Sequence, residues 1–304
     1  MAETTASSAQ SSDGEVYRAH WSRVYAEDAT QLEREWHCST EDALPFIGPY
    51  VAHAASRAGG CDGSDPGSSG LVVDVGCGSS SMGHDLWRRF GFAHLLMTDI
   101  DDGIVGIMRE RYGTSPCTGR NGHEVSGSNL GGGGGGGGGD VGEGNARARR
   151  RTVRCEVADC RSMPTVPDGC AAVVVDKGTI DALSGDIDKM AMIRECLRML
   201  SPDGGVVVSV SFPSAARVAL LDRAAEELGV ECRIRVLTEG DPKYGHQAVF
   251  VAVLGRHLAD VAPEDRDKMS ENLLARARRS GSMIEDEAPG EQDRLTIFDH
   301  SDED

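Results

Sequence analysis

Apolar positions along the chain fall into two alternating rhythms. From residue 71 onward, short apolar, β-branched runs are separated by stretches whose apolar residues recur at spacings of three and four. Leu71 to Val75, His94 to Thr98, Val153 to Ala158, Ala171 to Val175 and Val206 to Phe212 read as strands. Between them, Ser81 to Phe90, Ile104 to Tyr112, Ile187 to Leu200 and Ser214 to Leu228 read as helices. The third helix is the clearest, with Met190, Ile193, Leu197 and Leu200 on one face. Ser201-Pro202-Asp203-Gly204-Gly205 is a strong stop, and Gly229 a C-terminal cap. Cys232 to Leu237 and Gln247 to Leu254 are two more strands with no helix between them, which predicts an antiparallel pair at the end of the sheet. Near-continuous apolar strands are covered on both faces, and alternation with helices implies right-handed parallel crossovers. The prediction is an α/β fold: a seven-stranded, Rossmann-like sheet with helices on both faces and a C-terminal antiparallel hairpin.

The flanks follow other patterns. Residues 1–14 are small and polar and read as disordered. Residues 15–55 look helical, with Tyr17, Trp21, Val24 and Tyr25 at helical spacing and Trp36 beyond them. Residues 59–70 form a loop by composition. Residues 113–151 interrupt the alternation with a disordered Gly-rich insert, in which Gly131 to Gly139 are consecutive, and end in a basic run, Arg147 to Arg151, that reads as a solvated loop end. One domain over 15–257 is expected, then a polar helix (Pro263 to Arg279) and an acidic, disordered tail within 258–304.

Composition narrows what such a domain does. The net charge of −18 excludes nucleic-acid binding by bulk charge. Residues 281–304 alone hold nine acids against one base, and the insert holds five Arg against three acids. The nine cysteines are odd in number and lack a CxxC pair, so neither a disulfide framework nor a metal site is expected. A reducing, cytoplasmic setting fits them. The N-terminal residues carry no visible targeting signal, and no run approaches the length of a membrane span.

Four strand ends carry the chemistry. In VVDVGCGSSS (72–81) the first strand turns on Gly76 and Gly78, where glycine permits positive φ and close approach of a ligand. The third glycine of a dinucleotide fingerprint is replaced by Ser81, which argues against a nicotinamide cofactor. Asp99 ends the second strand, 23 residues beyond Gly76, where a carboxylate accepts both hydroxyls of a ribose or simply caps a helix. Asp159-Cys160 ends the third strand, where the acid could hold an adenine amino group. Asp176, Lys177 and Gly178 end the fourth, within VVVDKGTIDAL (173–183), and would face whatever protrudes from a nucleoside.

These residues resemble the class I S-adenosylmethionine-dependent methyltransferases over roughly residues 15–256, the insert excepted. VVVDKGTIDAL resembles the V-L-D/E-K-G-T-L-D-A-L signature of a methyltransferase-like group that includes lysine methyltransferases of translation elongation factor 1-alpha. Trp21, Tyr25 and Glu35-Trp36 match that group's N-terminal aromatic pattern. Ser79 stands where Asn often follows GCG, and His20 where Tyr often precedes the first Trp.

The resemblance implies S-adenosyl-L-methionine as cofactor, with Trp21, Tyr25 and Trp36 closing over it. It further implies Gly76 and Gly78 beside the methionine part, Asp99 at the ribose, and Ile100, Asp159 and Cys160 around the adenine. Lys177 matches a position near the cofactor. The implied activity is N-methylation of a lysine-bearing protein, of which a translation factor is the example the resemblance offers, by a monomer. Asp176 and Asp181 are candidates for guiding the amine. Ser211-Phe212-Pro213 and Tyr244 to His246 are candidate substrate walls. A small-molecule methyltransferase and a non-catalytic cofactor-binding scaffold stay open as alternatives.

Overall fold

In the computed structural model the described residues are 6–27, 36–58, 70–113, 151–212, 214–238 and 249–261. Seven strands form one sheet: β1 Leu71–Val75, β2 His94–Asp99, β3 Thr152–Val157, β4 Ala171–Lys177, β5 Val206–Ser211, β6 Glu231–Thr238 and β7 Val249–Gly255. Their order is β3-β2-β1-β4-β5-β7-β6. β3 to β5 along this order pair in parallel, and β7 runs antiparallel to both β5 and β6. The seven strands and the terminal antiparallel pair are as the pattern predicts.

Seven helices accompany the sheet: α1 Ala6–Glu27, α2 Thr40–Ala58, α3 Met82–Phe90, α4 Asp102–Tyr112, α5 Thr179–Ala182, α6 Gly185–Met199 and α7 Ala215–Leu228. Alternate residues of each strand feed opposite cores. Val72, Val173, Val175 and Val208 join the layer with α2, α3 and α4, whereas Val73, Val174 and Val207 join that with α6 and α7. The central strands β1, β4 and β5 are covered on both faces, with Asp74, Asp176 and Ser209 as buried polar exceptions.

Three expectations are corrected. The helical lead-in is two helices rather than one, and α2 runs through Pro45 and Pro49. α1 starts at Ala6, so helix extends into the segment expected to be disordered. Arg151, last of the basic run, is anchored rather than solvated: Nη2 donates to the Trp87 carbonyl, Nε donates to that of Phe92 at 3.0 Å, and the guanidinium lies 3.9 Å from the Trp87 ring centroid. It thereby adds a side-chain donor at the C-terminal end of α3, where the Trp87 carbonyl also accepts from the Gly91 and Phe92 amides. The rest of the insert, the helix expected over Pro263 to Arg279 and the acidic tail lie outside the described residues.

Candidate functional site

The chain leaves β1 toward β2 and β3 on one side and returns to β4 on the other, so the carboxyl ends of β1 and β4 flank a crevice. Open α/β sheets bind ligands at such a switch point. A pocket of about 940 Å³, counted out to its open mouth, lies there.

The floor is the β1–α3 turn. Gly76 and Gly78 have φ of 59° and 48°. A Cβ on Gly76 would lie 2.2 Å from Thr179 Oγ1, whose hydroxyl is 2.8 Å from the Val75 carbonyl oxygen and 3.0 Å from that of Gly76. Glycine is therefore required both by backbone conformation and by the interlock with α5. The Cys77 amide donates to the Thr98 carbonyl at 2.8 Å, tying the turn to β2.

Asp99 sits beside this turn. Its Oδ2 accepts from the Gly78 amide at 2.9 Å and its Oδ1 from the Asp101 amide at 3.0 Å. Burial pushes its carboxyl up to about 6, against those two amides. Near neutral pH it is an anion lining the pocket, with lone pairs left for a diol. The helix-cap role belongs to Asp101, which accepts from the Ile104 amide at 2.9 Å. Ile100 lines the pocket next to Asp99.

Asp159 and Cys160 also line the pocket. The Asp159 carboxylate is already engaged by Arg161, whose Nη2 lies 2.7 Å from Oδ2 and whose Nε lies 3.0 Å from Oδ1. Arg161 continues to Asp188 at 2.9 Å, and the Tyr17 hydroxyl donates to the other Asp188 oxygen at 2.8 Å. Burial raises the thiols of Cys77 and Cys160 well above their usual range, so both act as apolar wall. Lys177 reaches in from β4, with Nζ 3.4 Å from Ser80 Oγ, and burial lowers its ammonium to about 7.

The roof comes from outside the sheet. Trp21 and Tyr25 on α1 have ring centroids 5.7 Å apart and both line the pocket, as does Trp36. Burial, reinforced by the Asp99 anion, raises the Tyr25 phenol, so its hydroxyl keeps its proton. α1 is held down by polar contacts: Arg18 Nε donates to the Ile100 carbonyl at 3.2 Å, Ser22 Oγ donates to Asp101 Oδ2, and Tyr17 Oη accepts from the Ser184 amide at 2.6 Å.

The structure thus brings Trp21, Tyr25, Trp36, Gly76, Gly78, Asp99, Ile100, Asp159, Cys160, Lys177 and Asp181 around one pocket. Asp176 does not fit its expected place at the amine. It is 1 % exposed behind the wall, where it accepts from Ser209 Oγ at 2.6 Å and from the Ile180 amide at 3.2 Å, so it ties β4 to β5 and α5. Phe212 lines the pocket, as expected of a wall; Pro213 and Tyr244 to His246 lie outside the described residues. The pattern missed Tyr17, His37, Ser80 and Thr179. Ser80 and Thr179 stand inside the two recognised blocks and could have been read from them. His37 carries no signal beyond adjacency to Trp36.

Among the described residues no cluster of His, Cys, Asp and Glu could hold a metal ion, and no helix is long and apolar enough to cross a membrane. No protein-family profile and no curated protein matches the chain. Solved structures overlap it in part. Magnesium protoporphyrin IX methyltransferase from Synechocystis PCC 6803, with bound SAM, is 12 % identical over 80 % of this chain and 97 % of its own, with a TM-score of 0.46. A SAM-dependent methyltransferase from Leishmania major is 14 % identical over 70 % of this chain and 76 % of its own, at 0.42. Another from Methanosarcina mazei is 14 % identical over 61 % of this chain and 92 % of its own, at 0.43.

Proposed function

We propose that this chain is an S-adenosyl-L-methionine-dependent methyltransferase acting on a lysine of a protein. The observation that carries the cofactor reading is the Gly76–Gly78 turn, open at positive φ, with Asp99 fixed beside it by two backbone amides. The turn admits backbone close to a ligand, and the carboxylate presents paired acceptors where a ribose would lie. Asp159 contributes wall and backbone at the adenine end, because Arg161 occupies its carboxylate. Trp21, Tyr25 and Trp36 supply aromatic cover.

When bound, the cofactor supplies a sulfonium methyl with an excellent leaving group. The protein's own contribution is alignment and exclusion of water. A dry, aromatic pocket favours a neutral amine, the form that attacks. Lys177 already responds to this environment, since burial brings its ammonium down to about 7. A protein lysine as acceptor is supported by the VVVDKGTIDAL block with its N-terminal aromatic partners, and a translation factor is the class of target that block points to. The seven described cysteines are free thiols, which suits a reducing compartment such as the cytoplasm.

Calorimetry with S-adenosylhomocysteine and with NAD tests the cofactor, and incubation with methyl-labelled cofactor and cell lysate tests the acceptor. The expected result is binding of the nucleoside thioether alone and label in a discrete protein band, removed by Asp99→Ala. Label only in small molecules overturns the protein-lysine reading. Binding without any transfer overturns the enzyme reading.

A further inference from the structure

We infer that His37, held by Asp181, is the group that takes the proton from the substrate amine; this rests on the methyltransferase reading above. His37 and Asp181 line the same pocket although they lie 144 residues apart in the sequence. The His37 side chain is 2 % exposed, with Nε2 3.4 Å from Asp181 Oδ2. Its ring stands edge-on to Phe212, centroids 4.2 Å apart.

Two features show that the surroundings are shaped around this ring. His37 is the one described non-glycine residue at positive φ, 64°, a conformation disfavoured for a side chain with a Cβ. Gly178 faces it, and a Cβ there would lie 2.6 Å from Nε2. A side chain at Gly178 would force the imidazole or the β4–α5 turn to shift.

Asp181 is in turn fixed in place. Its Oδ1 accepts from Ser211 Oγ and lies 3.0 Å from Arg217 Nη2, while Oδ2 accepts from the Phe212 amide at 3.2 Å. Arg217 is itself 6 % exposed and donates to the Ile180 carbonyl and to Ser211 Oγ. Asp181 facing Nε2 favours the tautomer with the proton there, which leaves the imidazole lone pair on Nδ1; that atom is shielded in the cofactor-free protein, so the ring must turn toward the substrate to take up its proton. Asp181 also stabilises the imidazolium once a proton arrives. The other charges facing this group are Arg217 on α7, behind Asp181; Asp176 on β4, whose carboxyl senses both Asp181 and Arg217; Lys177 at the end of β4, in the same pocket; and Lys189 on α6, which also senses Asp181 and Arg217.

The step balances. An N–H bond of the substrate ammonium breaks, its electron pair stays on nitrogen, and the proton passes to His37. The nitrogen pair then forms the bond to the methyl carbon while the carbon–sulfur pair stays on sulfur. The imidazolium returns its proton to solvent. Asp181 is a positioning residue in this scheme, acting only through His37.

His37→Asn is the suitable variant, because Asn tolerates positive φ and keeps the loop folded; His37→Gly is the companion. Three measurements on the full chain decide the matter. In the cofactor-free protein, the His37 ring resonance is titrated in wild type and in Asp181→Asn, and the midpoint moves to lower pH in the variant. Calorimetric affinity for S-adenosylhomocysteine stays within about twofold in His37→Asn. Single-turnover transfer to the labelled lysate band at pH 7 falls by about 100-fold or more, and the rising limb of the wild-type pH profile shifts upward toward that of the free amine. An unmoved His37 midpoint, or transfer with an unchanged pH profile in His37→Asn, overturns the assignment while leaving the methyltransferase reading intact. Absence of cofactor binding and of label in the wild type overturns both.

Discussion

At the scale of single residues, the site is assembled from carboxylates that differ in what their neighbours demand. Asp99 faces the pocket with two amides on it, Asp181 is pinned by Arg217, and Asp176 is a buried strut. Asp74, on β1 beneath α3, differs from all three. It is 1 % exposed, and its Oδ2 has no hydrogen-bond partner among the described residues. Burial pushes its carboxyl up to about 8, with the Asp176 and Asp99 anions adding to the shift. An unfolded Asp titrates near 3.9. The folded chain therefore binds more protons than the unfolded one between about pH 4 and pH 8, and stability falls as pH rises through that window. Asp99 and Asp176, each pushed up to about 6, act in the same direction, but only below that pH. Lys177, lowered to about 7, acts in the opposite direction above it. Comparison with Asp74→Asn cancels these common contributions. From pH 6.5 to 8 the variant should gain about 1–2 kcal/mol relative to wild type, read from chemical denaturation at the two pH values.

At the scale of elements, α1 is a helix placed over the pocket and held at its edge by polar side-chain contacts, with Tyr25 and Tyr17 packed against the two apolar layers. Tyr17 joins α1 to both Asp188 and the Ser184 amide, and Arg161 stands between Asp188 and Asp159 with its guanidinium 5.1 Å from the Tyr17 ring centroid. Removing one hydroxyl from such a network costs about 1 kcal/mol or slightly more. Tyr17→Phe should therefore release bound S-adenosylhomocysteine about 5- to 10-fold faster in stopped-flow displacement, with the melting temperature of the cofactor-free protein nearly unchanged. Equal off-rates would mean that α1 does not gate the site. This element also marks where the sequence stops being readable. The strands were legible because runs such as Val173–Val175 must be apolar on both faces, and the pocket glycines because turns after such runs need them. Asp99 was legible from its place at the next strand end. The start of α1 at Ala6 was not, since its first residues are Ser, Ala and Gln with no apolar period. α5 is only four residues long, too short for periodicity to register. Asp176 and Asp181 both read as acids near a strand end; five residues of chain decide that one points behind the wall and the other into the pocket. His37 depends on contacts with residues more than 140 positions away, which no local pattern encodes.

At the scale of the whole molecule, charge is the property that a partner feels before contact. The chain carries −18, of which residues 281–304 contribute −8 through nine acids and one base. A protein of this sign attracts a basic substrate surface, and the attraction acts on the rate of encounter more than on the chemistry. Salt screens it, since the Debye length shortens from about 14 Å near 0.05 M to about 6 Å near 0.3 M. For a basic protein acceptor, kcat/KM should fall about 5- to 20-fold over that range, while kcat at saturating acceptor stays within about twofold. Truncation after residue 280 removes −8 and should flatten the salt dependence without altering the calorimetric affinity for S-adenosylhomocysteine, because every described pocket residue precedes residue 213. A small neutral acceptor should show no such dependence in either form. Salt-insensitive transfer to protein would place recognition in short-range contacts at the pocket mouth instead of in the long-range field.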